Sequence, residues 1–340
     1  MIAAPPHTQT LAAAAAVEDR FGRRLRYLRV SVTDLCNLSC QYCNPTKGCA
    51  ETHPHKLSWD DLDFLVDVAV NDLGVEALRI TGGEPTVRPG LADWLAGIRR
   101  HDALRNVAMT TNGILLEKMA APLKDAGLDR VNVSLDTFDA KLFSEVTRGG
   151  SLERCLRGIH AARALFDSVK TNTVLLRGVN EEEIPRFVEF SAEHEIEVRF
   201  IELMPIFGDK DYFHRHFISV EQVKEKLSQQ GIELIPAESN GYGPAASFRV
   251  AGSRARIGFI SQMSDTKCLT CNKLRMTSDG ALKPCLLSPQ EVDLTPLITN
   301  RDREAVAGAM RSQFMERAER YDAAEALRDP FRRGMQAIGG

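Results

Sequence analysis

Six short β-branched or apolar runs recur at residues 27–32, 77–81, 106–110, 130–135, 169–175 and 198–203, each followed by a turn or a helical rhythm. Between the first two, Leu62, Leu65, Val66, Ala69, Val70 and Leu73 follow i, i+3, i+4 spacing, the apolar stripe of one helix. Ser58 predicts its N-cap, Asp61 closes a capping box, and Gly74 marks its end. Further stripes fall at Leu91, Trp94, Leu95 and Ile98, at Leu152, Cys155, Leu156 and Ile159, and at Ile184, Phe187 and Val188. Strands alternating with helices predict parallel βα units, here an α/β fold built as an incomplete (β/α)6 TIM-type barrel.

Each apolar run stops at a polar or glycine-rich cluster: the cysteine loop, TGGEP (81–85), TTNG (110–113), SLD (134–136), RGVN (177–180) and ELMP (202–205). Chemistry in parallel barrels collects at the carboxyl ends of the strands, so these clusters predict one shared mouth. A flat dinucleotide-binding sheet is disfavoured, because no G-x-G-x-x-G follows the first run. Beyond about residue 210 the rhythm changes. A charged helix at 219–230, a Gly/Pro-containing stretch, strand-like runs at 248–250 and 255–260 and a charged helical tail predict a C-terminal extension closing the open side. The expected division is a leader at 1–20, the partial barrel at 21–210 and the extension at 211–340.

The 340 residues carry a net charge of −3, against a dominant nucleic-acid footprint. No apolar run reaches membrane-span length. The alanine-rich N-terminus lacks a basic region and a long leucine-rich core, against a secretory signal. Six of the eight cysteines fall in two tight groups, which favours metal ligation in a reducing, cytoplasmic setting over disulfides.

The first group is Cys36, Cys40 and Cys43 in VTDLCNLSCQYC. Three thiolates this close can hold three irons of a [4Fe–4S] cube and leave the fourth open. C-x-x-x-C-x-x-C suits neither a two-pair zinc site nor a thioredoxin-type motif. The second group, Cys268, Cys271 and Cys285, again offers three ligands, and a second cluster with an open iron is the favoured reading. Cys155 reads as core, Cys49 as an incidental thiol, and His53, His55, His214 and His216 as surface residues. TGGEP follows a strand; its glycines allow close backbone approach and Glu84 can accept from an ammonium group. Arg29, Arg79, Lys170, Arg199, Lys273 and Arg275 would together suit a polyanion such as a triphosphate.

From about Phe21 to Gly340 these motifs resemble the radical S-adenosylmethionine (SAM) enzymes. More narrowly, the chain is similar to the GTP 3′,8-cyclase family, which acts at the first step of molybdenum cofactor biosynthesis. The resemblance rests on LRVSVTDLCNLSCQYC, LRITGGEP, TTNGILL, AGLDRVNVSLD, TNTVLLRGVN, VRFIELMP, IGFIS, the second cysteine group and the terminal Gly-Gly.

The resemblance implies two [4Fe–4S] clusters on the two trios. SAM is implied to be chelated at the first cluster and held by Tyr42, Gly82, Gly83, Glu84, Thr110, Ser134 and Met204. Reductive cleavage of SAM would give a 5′-deoxyadenosyl radical that abstracts the 3′ hydrogen of GTP, leading to 3′,8-cyclo-7,8-dihydro-GTP. Arg29, Arg79, Lys170, Lys273 and Arg275 are implied to bind substrate, and Arg29, Arg199, Gly339 and Gly340 to act at the site of reaction. The implied partners are a low-potential donor such as flavodoxin or ferredoxin, the next pathway enzyme, which makes cyclic pyranopterin monophosphate, and a second copy in a homodimer. Departures from the family pattern fall at Asn44, Ala77, Gln262, Lys267 and Lys273. They keep open a radical SAM paralogue acting on another nucleotide. A zinc-stapled binding module is the alternative of another class.

Overall fold

The computed structural model describes residues 16–43, 57–205, 210–238, 243–265, 268–321 and 334–339. Expectations for residues 1–15, Asn44, Cys49, His53, His55, Lys267 and Gly340 lie outside the described residues.

The six predicted strands are β1 (Tyr27–Ser31), β2 (Ala77–Thr81), β3 (Asn106–Thr111), β4 (Arg130–Ser134), β5 (Val169–Leu175) and β6 (Glu197–Glu202). They lie side by side in sequence order, every neighbouring pair parallel. The intervening helices are α1 (Trp59–Asn71), α2 (Leu91–Ile98), α3 (Leu116–Asp125), α4 (Ala140–Thr147), α5 (Leu152–Leu165) and α6 (Ile184–His194). Ser58 caps α1 as expected: its side chain accepts from the Asp61 N–H, and the Asp61 carboxylate accepts from the Ser58 backbone. One core joins Val30, Ile80, Met109, Val131 and Val198 of the strands to Leu65, Leu95, Leu123, Ile159 and Phe187 of the helices. Because side chains alternate along a strand, Arg29, Arg79 and Arg199 project from the sheet face opposite that core.

The extension does more than cover an opening. It supplies β7 (Leu234–Ala237), β8 (Ala246–Val250), β9 (Arg256–Ile260), β10 (Lys273–Met276), β11 (Ala281–Lys283) and β12 (Val292–Asp293). β10 pairs parallel with β1 and β9 pairs parallel with β6, so the added strands lengthen the sheet at both edges. β11 and β12, and β8 and β7, continue outward antiparallel. The described strands thus form one mixed sheet of twelve. Outside it lie α7 (Lys210–His216), α8 (Val220–Gln229), α9 (Thr295–Thr299), α10 (Arg303–Met315) and a helical turn at Met335–Ile338.

The leader expected over 1–20 overlaps the folded body. Val17 packs in the core, Asp19 is buried, and Glu18 forms an antiparallel bridge with Arg24. Apolar Val17 and the Asp19–Arg23 pair, 2.6 Å between Oδ2 and Nε, anchor residues 17–23 to the body.

Candidate active site: a cavity at the strand ends

The first cysteine loop leaves β1 and docks on the end of α4. Ser39 N–H donates to Thr147 at 3.2 Å and Gln41 N–H to Val146 at 2.9 Å. Cys43 N–H closes a turn on the Cys40 carbonyl at 3.0 Å. Asn112, from the TTNG cluster, reaches the Cys36 sulfur at 3.9 Å and Asn37 at 2.7 Å.

The TGGEP turn clasps the same loop. Gly83 N–H donates to Thr33 at 2.7 Å and Glu84 N–H to Leu35 at 2.8 Å. A Cβ on Gly82 would stand 2.5 Å from the Thr33 carbonyl, and one on Gly83 2.4 Å from that of Leu35. The glycines therefore admit the cysteine loop's own backbone, where the sequence had suggested room for a ligand. Glu84 is likewise occupied within the chain. One carboxylate oxygen accepts from Thr86 Oγ1 at 2.6 Å and Thr111 Oγ1 at 2.7 Å, and the other from Asn112 N–H at 2.6 Å. It bolts the turn after β2 to the turn after β3. Burial nevertheless holds its pKa above the usual carboxylate value, against those hydrogen bonds.

Beyond the loop the cavity wall continues through Tyr42, Thr110, Ser134 and Met204. The Tyr42 hydroxyl donates to Asp136 at 2.6 Å, and Asp136 also accepts from Val174 N–H at 2.9 Å. Burial raises Asp136 to about 6 despite these bonds. Met204 packs with Leu286, Leu287 and Ile338, tying the end of β6 to the chain's last turn.

The deep wall is cationic. Arg29, Arg79, Arg199, Lys273 and Arg275 all line it, around the buried ring of Tyr27. Arg79 Nε donates to the Tyr27 oxygen at 2.8 Å, and the Lys273 ammonium lies 5.6 Å from the ring centre. Burial opposes ionisation of the phenol, but Arg79, Arg29 and Lys273 prevail and pull it down to about 8. The Gly339 carbonyl accepts from Arg29 at 2.9 Å and Arg275 at 3.3 Å, so the chain's end docks on the same cations. Gly339 has φ +66°, and a Cβ there would lie 2.7 Å from the Thr81 methyl.

Lys170 departs from expectation. It is absent from the cavity lining and bound to Glu197 at 2.7 Å, whose second oxygen takes Arg199 Nε at 2.6 Å. Burial and Arg199 lower its pKa to about 8 in spite of the carboxylate.

Cys268, Cys271 and Cys285 stand directly behind the cationic wall: cavity-lining Lys273 and Arg275 begin and continue β10, and Leu286 follows Cys285. Cys271 N–H donates to the Cys268 carbonyl at 3.2 Å and Leu287 N–H to the Cys285 sulfur at 3.4 Å. The two trios differ electrostatically. Burial pushes Cys36 up to about 11 and Cys43 up to about 12, whereas Lys273 and Arg317 hold Cys271 below the ordinary thiol value against its burial. Within the first trio the cysteines are near enough to perturb one another, and Cys285 senses both Cys271 and Cys268.

Among the described residues, no group of three or more His, Cys, Asp or Glu is set to hold a single metal ion. A cube takes three thiolates on three separate irons, so a trio without a fourth ligand suits a cluster with an open iron better than tetrahedral zinc.

The structure thus gathers the first trio, the glycine turn, Tyr42, Thr110, Ser134, Met204 and five of the six cations at one cavity. Cys155 is buried in the core as expected, and the histidines of α7 are not among the cavity residues. Sequence reading missed Tyr27, Asn132, Asp136, Asn172 and the fastening acids Glu197 and Glu202. Glu202 is buried and accepts from Val220 N–H at 2.9 Å and Met263 N–H at 2.8 Å, pinning the end of β6 to the extension. An acid placed directly at a predicted strand end was the available signal for Glu202 and Asp136.

The Radical SAM superfamily model matches residues 30–191, and the Molybdenum Cofactor Synthesis C model matches residues 196–323. A GTP 3′,8-cyclase of Alkaliphilus oremlandii is 39% identical over 326 residues, covering 95% of this chain and 100% of that protein. One from Heliobacterium modesticaldum is 44% identical over 283 residues, covering 82% and 86%. Among solved structures, Streptococcus suis SuiB bound to S-adenosylmethionine superposes with TM-score 0.56 at 17% identity, covering 86% of this chain and 69% of that one. Native anSMEcpe with bound AdoMet gives 0.54 at 15% identity, covering 86% and 84%. Those two share the fold. The curated relatives share nearly the whole length, both cysteine-bearing regions included, and on that ground the chain belongs to the GTP 3′,8-cyclase family of radical SAM enzymes.

Proposed function

We propose that this chain converts GTP to 3′,8-cyclo-7,8-dihydro-GTP, the first step of molybdenum cofactor biosynthesis, using two [4Fe–4S] clusters and SAM. One observation carries this reading. A single cavity is lined by all three cysteines of the first trio and by five cations. Two of those cations, Lys273 and Arg275, lie on the strand that follows Cys271 of the second trio, whose own cysteines are not among the lining residues. The bound cluster and sulfonium cofactor together supply one-electron C–S cleavage and hence a carbon radical.

The chain's own groups do the rest. Cys36, Cys40 and Cys43 hold the first cluster, and Cys268, Cys271 and Cys285 the second. Gly82, Gly83 and Glu84 set the shape of the loop carrying the first cluster, while Tyr42, Thr110, Ser134 and Met204 border the SAM pocket. Arg29, Arg79, Lys273 and Arg275 bind the triphosphate or the base beside the second trio, with Arg199 deeper in the wall. Lys170 acts on that wall through Glu197. Gly339 docks on Arg29 and Arg275 and excludes water from the radical.

The six parallel strands read as an incomplete (β/α)6 TIM-type barrel. The support is that Arg29, Arg79, Thr110, Ser134, Asn172 and Arg199, one from each strand, line the same cavity. The division into barrel and extension near residue 210 rests on the change of sequence rhythm there; the two family models part earlier, between residues 191 and 196, before β6. Among the described residues no helix is long and apolar enough to cross a membrane. Cytoplasmic residence, a flavodoxin- or ferredoxin-type donor, the enzyme making cyclic pyranopterin monophosphate as successor, and a homodimer complete the proposal.

The test is direct. Protein purified anaerobically should be brown and carry roughly eight irons, two cubes' worth. Incubated with reductant, SAM and a panel of nucleoside triphosphates, it should cyclise GTP alone. A colourless zinc protein, or cyclisation of another nucleotide in preference, refutes the proposal.

A further inference from the structure

We infer that Arg317 is a positioning residue for the second cluster, matching its charge and raising its reduction potential through a buried Asp19–Arg23–Arg317 clamp. The inference rests on the reading of the second trio as a cluster site.

Arg317 follows α10, and its side chain is 2% exposed. It grips the second cysteine loop at three points: Nη2 donates to the Cys271 carbonyl at 2.7 Å, and Nη1 to the Lys273 carbonyl at 3.0 Å and the Cys271 sulfur at 3.5 Å. Arg23, equally buried, donates to the Cys268 carbonyl at 3.2 Å and the Ala318 carbonyl at 3.0 Å. Asp19 lies between them, 2.6 Å from Arg23 Nε and 3.7 Å from Arg317 Nη2. Two segments distant in sequence, 19–23 and 317–318, thus meet on the loop that carries Cys268 and Cys271.

The charges within this clamp do not balance. Two guanidinium groups share one carboxylate, and Arg317 Nε has no hydrogen-bond partner. A buried excess cation is unfavourable unless an anion faces it. Its guanidinium carbon lies 4.0 Å from the Phe314 ring centre and its Nη1 3.5 Å from the Cys271 sulfur, and of these two the sulfur is the one that can carry negative charge. A cube held by three thiolates is anionic, and more so when reduced, so a fixed cation beside one ligand favours the reduced form. No such cation contacts a sulfur of the first trio among the described hydrogen bonds: Leu38 N–H and the Asn112 amide serve Cys36. The two clusters should therefore differ in potential, the second lying higher.

The experiment is a redox titration followed by electron paramagnetic resonance, on full-length reconstituted protein in which Cys36, Cys40 and Cys43 are alanine. Only the second cluster then reports, and turnover is not needed. Arg317→Gln should move its midpoint potential downward, Arg317→Lys should hold it near the parent, and Asp19→Asn should move it upward. Should Arg317→Gln shed the cluster, Asp19→Asn still reads the sign. An iron-loaded Arg317→Gln variant with unmoved potential overturns the inference. A triple-alanine parent that binds no iron overturns the two-cluster reading, and this inference falls with it.

Discussion

Tyr27 is the residue that a hydrophobicity pattern hides best. An aromatic opening a predicted strand reads as core, and the ring is indeed buried, yet its hydroxyl faces Arg79 inside the cavity. With its phenol held at about 8, the group is neutral below that pH and anionic above it. Burial brings the neighbouring Lys273 down to about 8 as well, so Lys273→Arg is the background in which Tyr27 is read. Ionisation cancels one of the positive charges meant for phosphate. KM for GTP should therefore rise as pH passes about 8, by up to about tenfold, the worth of one charge-assisted contact. Tyr27→Phe keeps the packing and should flatten that rise. A pH series of initial rates on both proteins decides it, and an identical rise in Tyr27→Phe would discard the idea. The cations themselves were legible because a charged residue inside an apolar strand run stands out. Lys170 was legible as a cation but not as one held by Glu197, since an acid two positions before Arg199 gives no sign in sequence of bridging to the neighbouring strand.

Elements follow sequence most closely where their signals are local. α1 carries its own cap, stripe and terminating Gly74, and β1 to β6 are compact apolar runs. Ser58→Ala removes the capping box and should destabilise the protein by about 1 kcal/mol, read as a lower Tm with kcat unchanged. A loss of activity at constant Tm would contradict a purely structural cap. The elements not foreseen lack such signals. α3 has Pro122 inside it and no side-chain cap. β10, β11 and β12 span only four, three and two residues, and β10 contains Lys273 and Arg275. β10 takes its parallel partner β1 from far away in sequence, and β11 and β12, though paired with their neighbours, are too short to carry a pattern. The glycine turn lines the cavity and also has a second neighbour that the sequence does not announce: Gly83→Ala would push a methyl into the Leu35 carbonyl. Iron content of the first trio should fall in that variant, while a Cys36, Cys40, Cys43 site that still fills normally would show the turn to be dispensable.

At the scale of the molecule, the helical turn at Met335–Ile338 carries Gly339 onto two cations of the cavity wall. Gly339 sits in left-handed backbone against β2, its carbonyl bonded to Arg29 and Arg275. Gly339→Ala adds about 1–2 kcal/mol of backbone strain, beyond the clash with Thr81. Both clusters should assemble in that variant, as judged by iron and by their resonance spectra, while GTP cyclisation drops by about tenfold or more. Retained cyclisation would remove the tail from the chemistry.

The sheet pairing of β10 with β1 and of β9 with β6 has a consequence for dissection of the gene. A fragment stopping after the sixth strand would present two raw parallel borders, each a row of amide groups seeking a partner. Such a piece invites precipitation, and its cysteine loop would be stranded beside an unfinished wall. The two family segments look modular on a line, yet the second is stitched to both flanks of the first. They should be inherited, expressed and lost together.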